Sequence, residues 1–206
     1  MRIFAAFLTG AALFLGGCSS SPKPEAAKKK EEPKPAPEPL TGRNAFFKAY
    51  VTARSWAPDV QCLTVSSIPL AEVEAAPGKA GAWQMTVVSP STRRKRSYTW
   101  SAVEGPGGLF EGVRAGAEDS FTPNPKSRPF LIAALKIDTD AALKVAEEKS
   151  ADFIKKNPTM RTNFLLEAGE KHPNPYWRVY WGDSIGTSAR SIFVDATTGQ
   201  YLETRH

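Results

Sequence analysis

Cysteine and histidine are both scarce in this 206-residue chain: there are two of each, Cys18 and Cys62, His172 and His206. The histidines lie 34 residues apart with no carboxylate at ligand spacing and no cysteine pair nearby. That excludes the common nitrogen–sulfur metal sites, and we expect no metal and no other cofactor. Long apolar runs are missing too. The stretch from Ile3 to Leu15 is too short to span a bilayer comfortably. Charge of one sign is weak: beyond Arg2 and the segment from Ser21 to Leu40, 21 basic side chains stand against 17 acidic ones. So mild an excess gives no footprint for nucleic acid, and none is expected as a partner.

The short apolar run has a use as the core of a secretory signal, with Arg2 before it. It ends in Leu15-Gly16-Gly17-Cys18, which resembles the bacterial lipobox. The resemblance implies a signal peptide over residues 1–17, cleavage before Cys18 and lipidation of its thiol, so that Cys18 anchors the chain to a membrane. Ser19 and Ser20 follow with no aspartate, which by the enterobacterial sorting rule implies an outer-membrane location facing the periplasm. Once Cys18 is acylated, Cys62 is the one thiol left, and no intramolecular disulfide can form. Cys62 lies between Val60, Leu63 and Val65 in a strand-like run, where a buried, inert thiol is expected.

Residues 18–40 carry the lipidated end and a tether. Between Ser21 and Leu40 there are six prolines, five lysines and four glutamates, and almost no apolar bulk. Such a segment cannot bury enough surface to fold, and its prolines keep it extended. Folded structure is expected from Thr41 onward, resting on a hydrophobic core rather than on cross-links.

That part is written twice. Ala82–Gly105 and Tyr176–Gly199 are both 24 residues long and align without a gap, matching at Trp83/Trp177, Arg96/Arg190, Ser97/Ser191, Ala102/Ala196 and Gly105/Gly199. The alternation stays in register as well: Trp83, Met85 and Val87 correspond to Trp177, Val179 and Trp181, one buried strand face in two copies. Tyr98, Trp100 and Ala102 correspond to Ile192, Val194 and Ala196. Polar segments between them, Ser89–Arg96 and Gly182–Arg190, read as hairpin loops. An amphipathic helix precedes each copy. One covers Asn44–Ser55; the other starts at Asp138 or Thr139 and runs through Leu143 and Ala146 to Ile154, and each stops near a proline, Pro58 and Pro158. Leu109, Phe110, Val113 and Phe130–Ile132 should add one or two strands to the first copy. The expected class is α+β, two tandem helix-plus-antiparallel-sheet units over residues 41–128 and 129–206.

The second unit resembles a PepSY domain in "IDTDAALKVAEEKSADF", in the strand "PYWRVYW" and in the ending "SIFVDATTGQYLE". The first keeps the Ala and Gly of that ending and is PepSY-like by internal comparison. The resemblance implies small PepSY/cystatin-like modules of exported bacterial proteins, associated with peptidase propeptides and with binding or inhibitory roles. It brings no catalytic residues. Gly182-Asp-Ser184-Ile-Gly186, with Asp195 and His206 following, matches a hydrolase nucleophile signature. That elbow needs a strand-turn-helix context, and a strand follows here, so turn chemistry explains the match and no enzyme is expected.

Two groups remain as partner-binding candidates. Arg93, Arg94, Lys95 and Arg96 form a cationic cluster that the second copy, with Arg190 alone, shows to be dispensable for the fold. Four cations on one loop could meet an anionic envelope polymer or membrane. Tyr176, Arg178, Tyr180 and Phe193 replace Ala82, Gln84, Thr86 and Thr99 on the opposite sheet face, so that face should be covered, with the first unit favoured over an external partner. The functional expectation is an envelope lipoprotein that binds or restrains a protein or peptide.

Overall fold

In the computed structural model, which describes residues 36–74 and 76–206, helices and antiparallel strands segregate into an α+β architecture. The elements run β1 (Leu40–Thr41), α1 (Gly42–Trp56), β2 (Gln61–Ile68), β3 (Lys79–Ala80), β4 (Ala82–Ser89), β5 (Arg94–Ser101) and β6 (Gly112–Ser120). The second half follows as α2 (Thr139–Glu148), α3 (Ala151–Lys156), β7 (Thr162–Glu167), β8 (Tyr176–Trp181), β9 (Arg190–Asp195) and β10 (Tyr201–Arg205). The expected signal peptide and lipidation site, and the tether as far as Pro35, lie outside the described residues.

Eight strands form one antiparallel sheet in the order β10-β9-β8-β7-β2-β4-β5-β6; β1 and β3 make a separate two-stranded ladder. Each half is a helix followed by a four-stranded meander, and the halves join through their first strands, Thr64 opposite Glu167 and Ser66 opposite Leu165. Both therefore share one sheet and one core. Alternation sends Cys62, Val65, Trp83, Met85, Val87, Phe164, Leu166, Trp177, Val179, Ile192 and Val194 to the helix side, where all are buried. The Cys62 thiol sits there in full burial, which pushes its pKa far up and leaves it inert.

The single helix expected from Asp138 to Ile154 is instead two, broken at Lys149 and Ser150. The break brings Phe153 edge-on to Trp181, with ring centroids 5.9 Å apart, so the chain keeps contact with the sheet. A strand the sequence reading did not separate, β10, closes the second half as β6 closes the first.

The duplication reaches individual hydrogen bonds. Trp83 Nε1 donates to Leu40 O and Trp177 Nε1 to Ile137 O, both at 2.9 Å. Ala102 N donates to Gly81 O as Ala196 N does to Pro175 O. The paired tryptophans meet edge-on, 6.4 Å apart, where the halves join. The two helix starts meet beside them. Thr41 makes no side-chain cap for α1; Arg43 N donates to Asp138 Oδ1 at 2.9 Å and Gly42 N to Thr139 Oγ1 at 2.9 Å. Asp138 also accepts from Thr139 N at 2.7 Å, so one carboxylate caps both helices. Gly42 permits this approach: a Cβ there would lie 2.6 Å from Trp177 Cη2.

Candidate functional site

The helices lie on one side of the sheet, and the opposite side carries the functional question. On it the second half presents Tyr176, Arg178, Tyr180 and Phe193, as alternation requires. These side chains are covered: Phe193 is 1% exposed, Tyr176 and Tyr180 8% each. Their own ring and side-chain polar contacts come from the second half, and the first half reaches this face at one edge, where Arg128 donates to Gly169 O at 2.6 Å and to His172 O at 3.1 Å in the loop that packs on Tyr176. Arg178 lies over Tyr180 and Phe193 and donates to Ser191 Oγ at 3.0 Å, Ile185 O at 3.2 Å and Ser188 Oγ at 3.3 Å. Arg205 of β10 covers Phe193 at 4.5 Å, and His172 packs edge-on against Tyr176 at 5.3 Å. The halves meet edge to edge, leaving the β8–β9 and β7–β8 loops free to fold over this face.

His172 is half-buried, with Nε2 3.6 Å from Glu203 Oε1. Glu203 also pairs with Lys171 and with Arg205. Burial raises the Glu167 carboxyl above its ordinary 4.5, partly offset by the hydrogen bond from Tyr176 Oη at 3.3 Å. Burial and that carboxylate push Tyr176 up to about 12. A raised carboxyl binds its proton more tightly in the folded than in the unfolded chain. Glu167 therefore favours folding most below its unfolded pKa, and that contribution falls as pH climbs through the folded value. Glu167→Gln is expected to gain stability over the wild type as pH rises from about 4 to 8, read by urea unfolding. Parallel pH profiles for the two proteins would refute this.

Over β2, β4 and β5 the same side of the sheet is different. Thr64, Ser66, Gln84, Thr86, Ser97 and Thr99 lie side by side across three strands, all half-exposed or exposed and none charged. One satellite cluster, Leu63, Val88 and Phe121, borders them. Among the described residues the connection after β6 covers this side at Leu63 and Val88 through Phe121, while these six residues keep partial or full exposure, and the sequence reading missed them as a site. Part of the signal was present in the repeat, as Gln84, Thr86 and Thr99 standing where the second copy has Arg178, Tyr180 and Phe193.

Arg93, Arg94, Lys95 and Arg96 do not share one loop. Arg94–Arg96 belong to β5, and only Arg93, with φ 53°, stays in the turn. Alternation sends Arg94 and Arg96 to the helix side with Tyr98, and Lys95 to the other. Each meets β6: Arg94 Nε lies 2.7 Å from Glu118 Oε1, Lys95 Nζ 3.2 Å from Asp119 Oδ2, and Arg96 Nε donates to Gly116 O at 2.9 Å. Trp56 Nε1 also donates to Glu118, and these hydrogen bonds hold its pKa low. The turn is shorter than the polar run because carboxylates on the adjacent strand make cations acceptable within the ladder.

Ser184, Asp195 and His206 have separate partners. Ser184 Oγ bonds Thr187 Oγ1 at 2.8 Å in a loop joining two strands. Asp195 Oδ1 accepts from Thr197 N and Thr198 N, both at 2.8 Å, shaping the turn after β9, and His206 is the exposed last residue. Where β2 and β7 part beyond Ser66, Phe164 N turns to Ser67 Oγ at 3.0 Å. A cavity of about 150 Å³ opens there, lined among others by Leu70, Val73, Lys79 and Arg161. Among the described residues no His, Cys, Asp and Glu gather at metal-binding geometry, and no helix is long and apolar enough to cross a membrane.

No protein-family profile matches the sequence, and no curated protein matches it. Among solved structures, the chain is similar to a candidate lipoprotein from Clostridium difficile 630 at 10% identity and a TM-score of 0.46. That likeness covers 78% of this chain and 91% of the other.

Proposed function

We propose that this protein is a non-enzymatic lipoprotein of the cell envelope whose two PepSY-like halves bind or restrain a protein or peptide partner. Cys18 is its lipid anchor, the Pro/Lys/Glu segment its tether, and the periplasmic side of the outer membrane its place. The observation that carries the reading is the neutral platform of Thr64, Ser66, Gln84, Thr86, Ser97 and Thr99, set on the sheet and partly or fully exposed among the described residues. Hydroxyls and an amide there can donate and accept without the desolvation cost of a charge, and specificity then follows from shape and hydrogen bonding. Contact with an anionic polymer or membrane through Arg93–Arg96 draws less support, since three of the four cations are engaged by β6 and divided between two faces.

Position-resolved cross-linking tests the reading. A photoreactive residue in place of Gln84 or Thr99 should capture one discrete envelope species in cells, and the same residue at Lys144, on the outside of α2, should not. Thr86→Arg with Ser97→Arg should abolish the capture. Equal labelling from both sides of the sheet, or capture indifferent to the arginines, would count against it.

A further inference from the structure

The outer edge of the sheet in the first half is β6, nine residues long, whose far side pairs with no strand among the described residues. An exposed edge of this length presents unpaired N–H and C=O groups and is a template for another strand. Its devices against random pairing are a bulge and charge. Gly116 and Ala117 together stand opposite Ser97, because Ala115 pairs with Tyr98 and Glu118 with Arg96. Arg114, Glu118 and Asp119 supply the charge.

The bulge reverses the side-chain alternation halfway along the strand. Arg114, opposite Thr99, points to the open side, and Val113 and Ala115 to the helix side. Beyond the bulge Glu118, opposite Arg96, points to the helix side, and Asp119, opposite Lys95, to the open side. An ordinary straight strand laid antiparallel on this edge must shift register by one residue at the bulge, as β5 does on the other side. A second copy of β6 does not. With Gly116 of one opposite Ala117 of the other, the two bulges coincide. Arg114 then faces Asp119 on the open side at both ends, Ala115 faces Glu118 on the helix side, and Val113 faces Ser120. Shifting the register by two residues either way puts side chains of opposite faces against each other at the centre. The central residues are Gly and Ala, small enough for two backbones to approach.

We propose that β6 pairs with β6 of a second copy of this chain in that register, continuing the sheet to sixteen strands across a two-fold axis. Arg114, which lies over Phe110 at 4.1 Å, and Asp119, 3.2 Å from Lys95, are both exposed, and in the dimer each Arg114 joins the Lys95–Asp119 pair of the other copy. The contact is smaller than a standard interface, so it is weak in dilute solution and favoured where copies are concentrated on a surface. It lies on the strand edge and not on the neutral platform, so it stands or falls separately from partner binding.

Cysteine trapping of the full-length chain in cells tests it. Opposed residues in an antiparallel pair lie within disulfide reach, and residues five positions apart along a strand, ~16 Å, do not. Arg114→Cys combined with Asp119→Cys should give a disulfide-linked dimer on mild oxidation. The two single variants co-expressed should give the cross-linked pair, and either single variant alone should stay monomeric. Cys62 is buried and common to every arm. As a second measurement, Arg114→Glu should raise the dissociation constant of the purified full-length protein by about tenfold in sedimentation equilibrium. No dimer from the double variant, equal cross-linking from either single variant, or self-association indifferent to Arg114→Glu would overturn the proposal.

Discussion

Trp177→Ala is expected to destabilise the fold by about 3–5 kcal/mol, the range for deleting a large aromatic ring from a packed core. Trp177 is fully buried where the two halves join, edge-on to Trp83, with its indole N–H satisfied by Ile137 O. Its removal opens a cavity between two meanders that share one core, leaves the part-buried Ile137 carbonyl without its donor, and exposes the contact point of Gly42. Neither half can close the gap alone, because β2 and β7 fix their separation. Urea unfolding of Trp83→Ala, Trp177→Ala and the double variant should show single losses of similar size. The double should cost less than their sum, since the second deletion enlarges an existing cavity. A loss below about 1.5 kcal/mol for Trp177→Ala would mean that the core relaxes around the site, contrary to this view.

Asp138→Ala is expected to cost about 2–4 kcal/mol, more than an ordinary helix cap, which is worth about 1 kcal/mol. The reason is that one carboxylate serves two helices. Asp138 accepts from Thr139 N at the start of α2, from Arg43 N at the start of α1, and from Thr41 Oγ1 at 2.6 Å. It also places a negative charge at two helix N-termini, where it is favourable. Asp138→Asn keeps one acceptor oxygen and loses the charge, so it should fall between wild type and alanine. Thr41→Ala removes one of the three donors and should cost least. Helix content by circular dichroism during urea titration would reveal α1 and α2 loosening together in the alanine variant. Loss confined to an ordinary capping value would show that α1 does not depend on Asp138.

Several features were legible in the residues because they are local or periodic. The alternation at Trp83–Val87 and Trp177–Trp181 picks out the buried face of a strand whatever its neighbours are. Pro58 and Pro158 lie beside helix ends, because a proline removes a donor and restricts the residue before it. Asp138 reads as a cap from its place before an apolar-periodic run. The duplication itself is visible because both copies must bury the same face against a helix. Other features were not legible. That Arg94–Arg96 lie within a strand depends on Glu118 and Asp119 arriving beside them from more than twenty residues away. That a helix breaks at Ser150 has no glycine or proline to announce it.

The sequence by itself determined the class of the fold, its doubling and the core tryptophans. These follow from periodicity, composition and short-range chemistry. Only the tertiary structure decided how the copies meet, because joining two sheets edge to edge is a choice among long-range pairings that local alternation leaves open. That choice lets each helix start lie against the other and puts the aromatic face beneath its own loops. Among the described residues it also leaves two surfaces exposed: the neutral platform over β2, β4 and β5, and the bulged edge of β6.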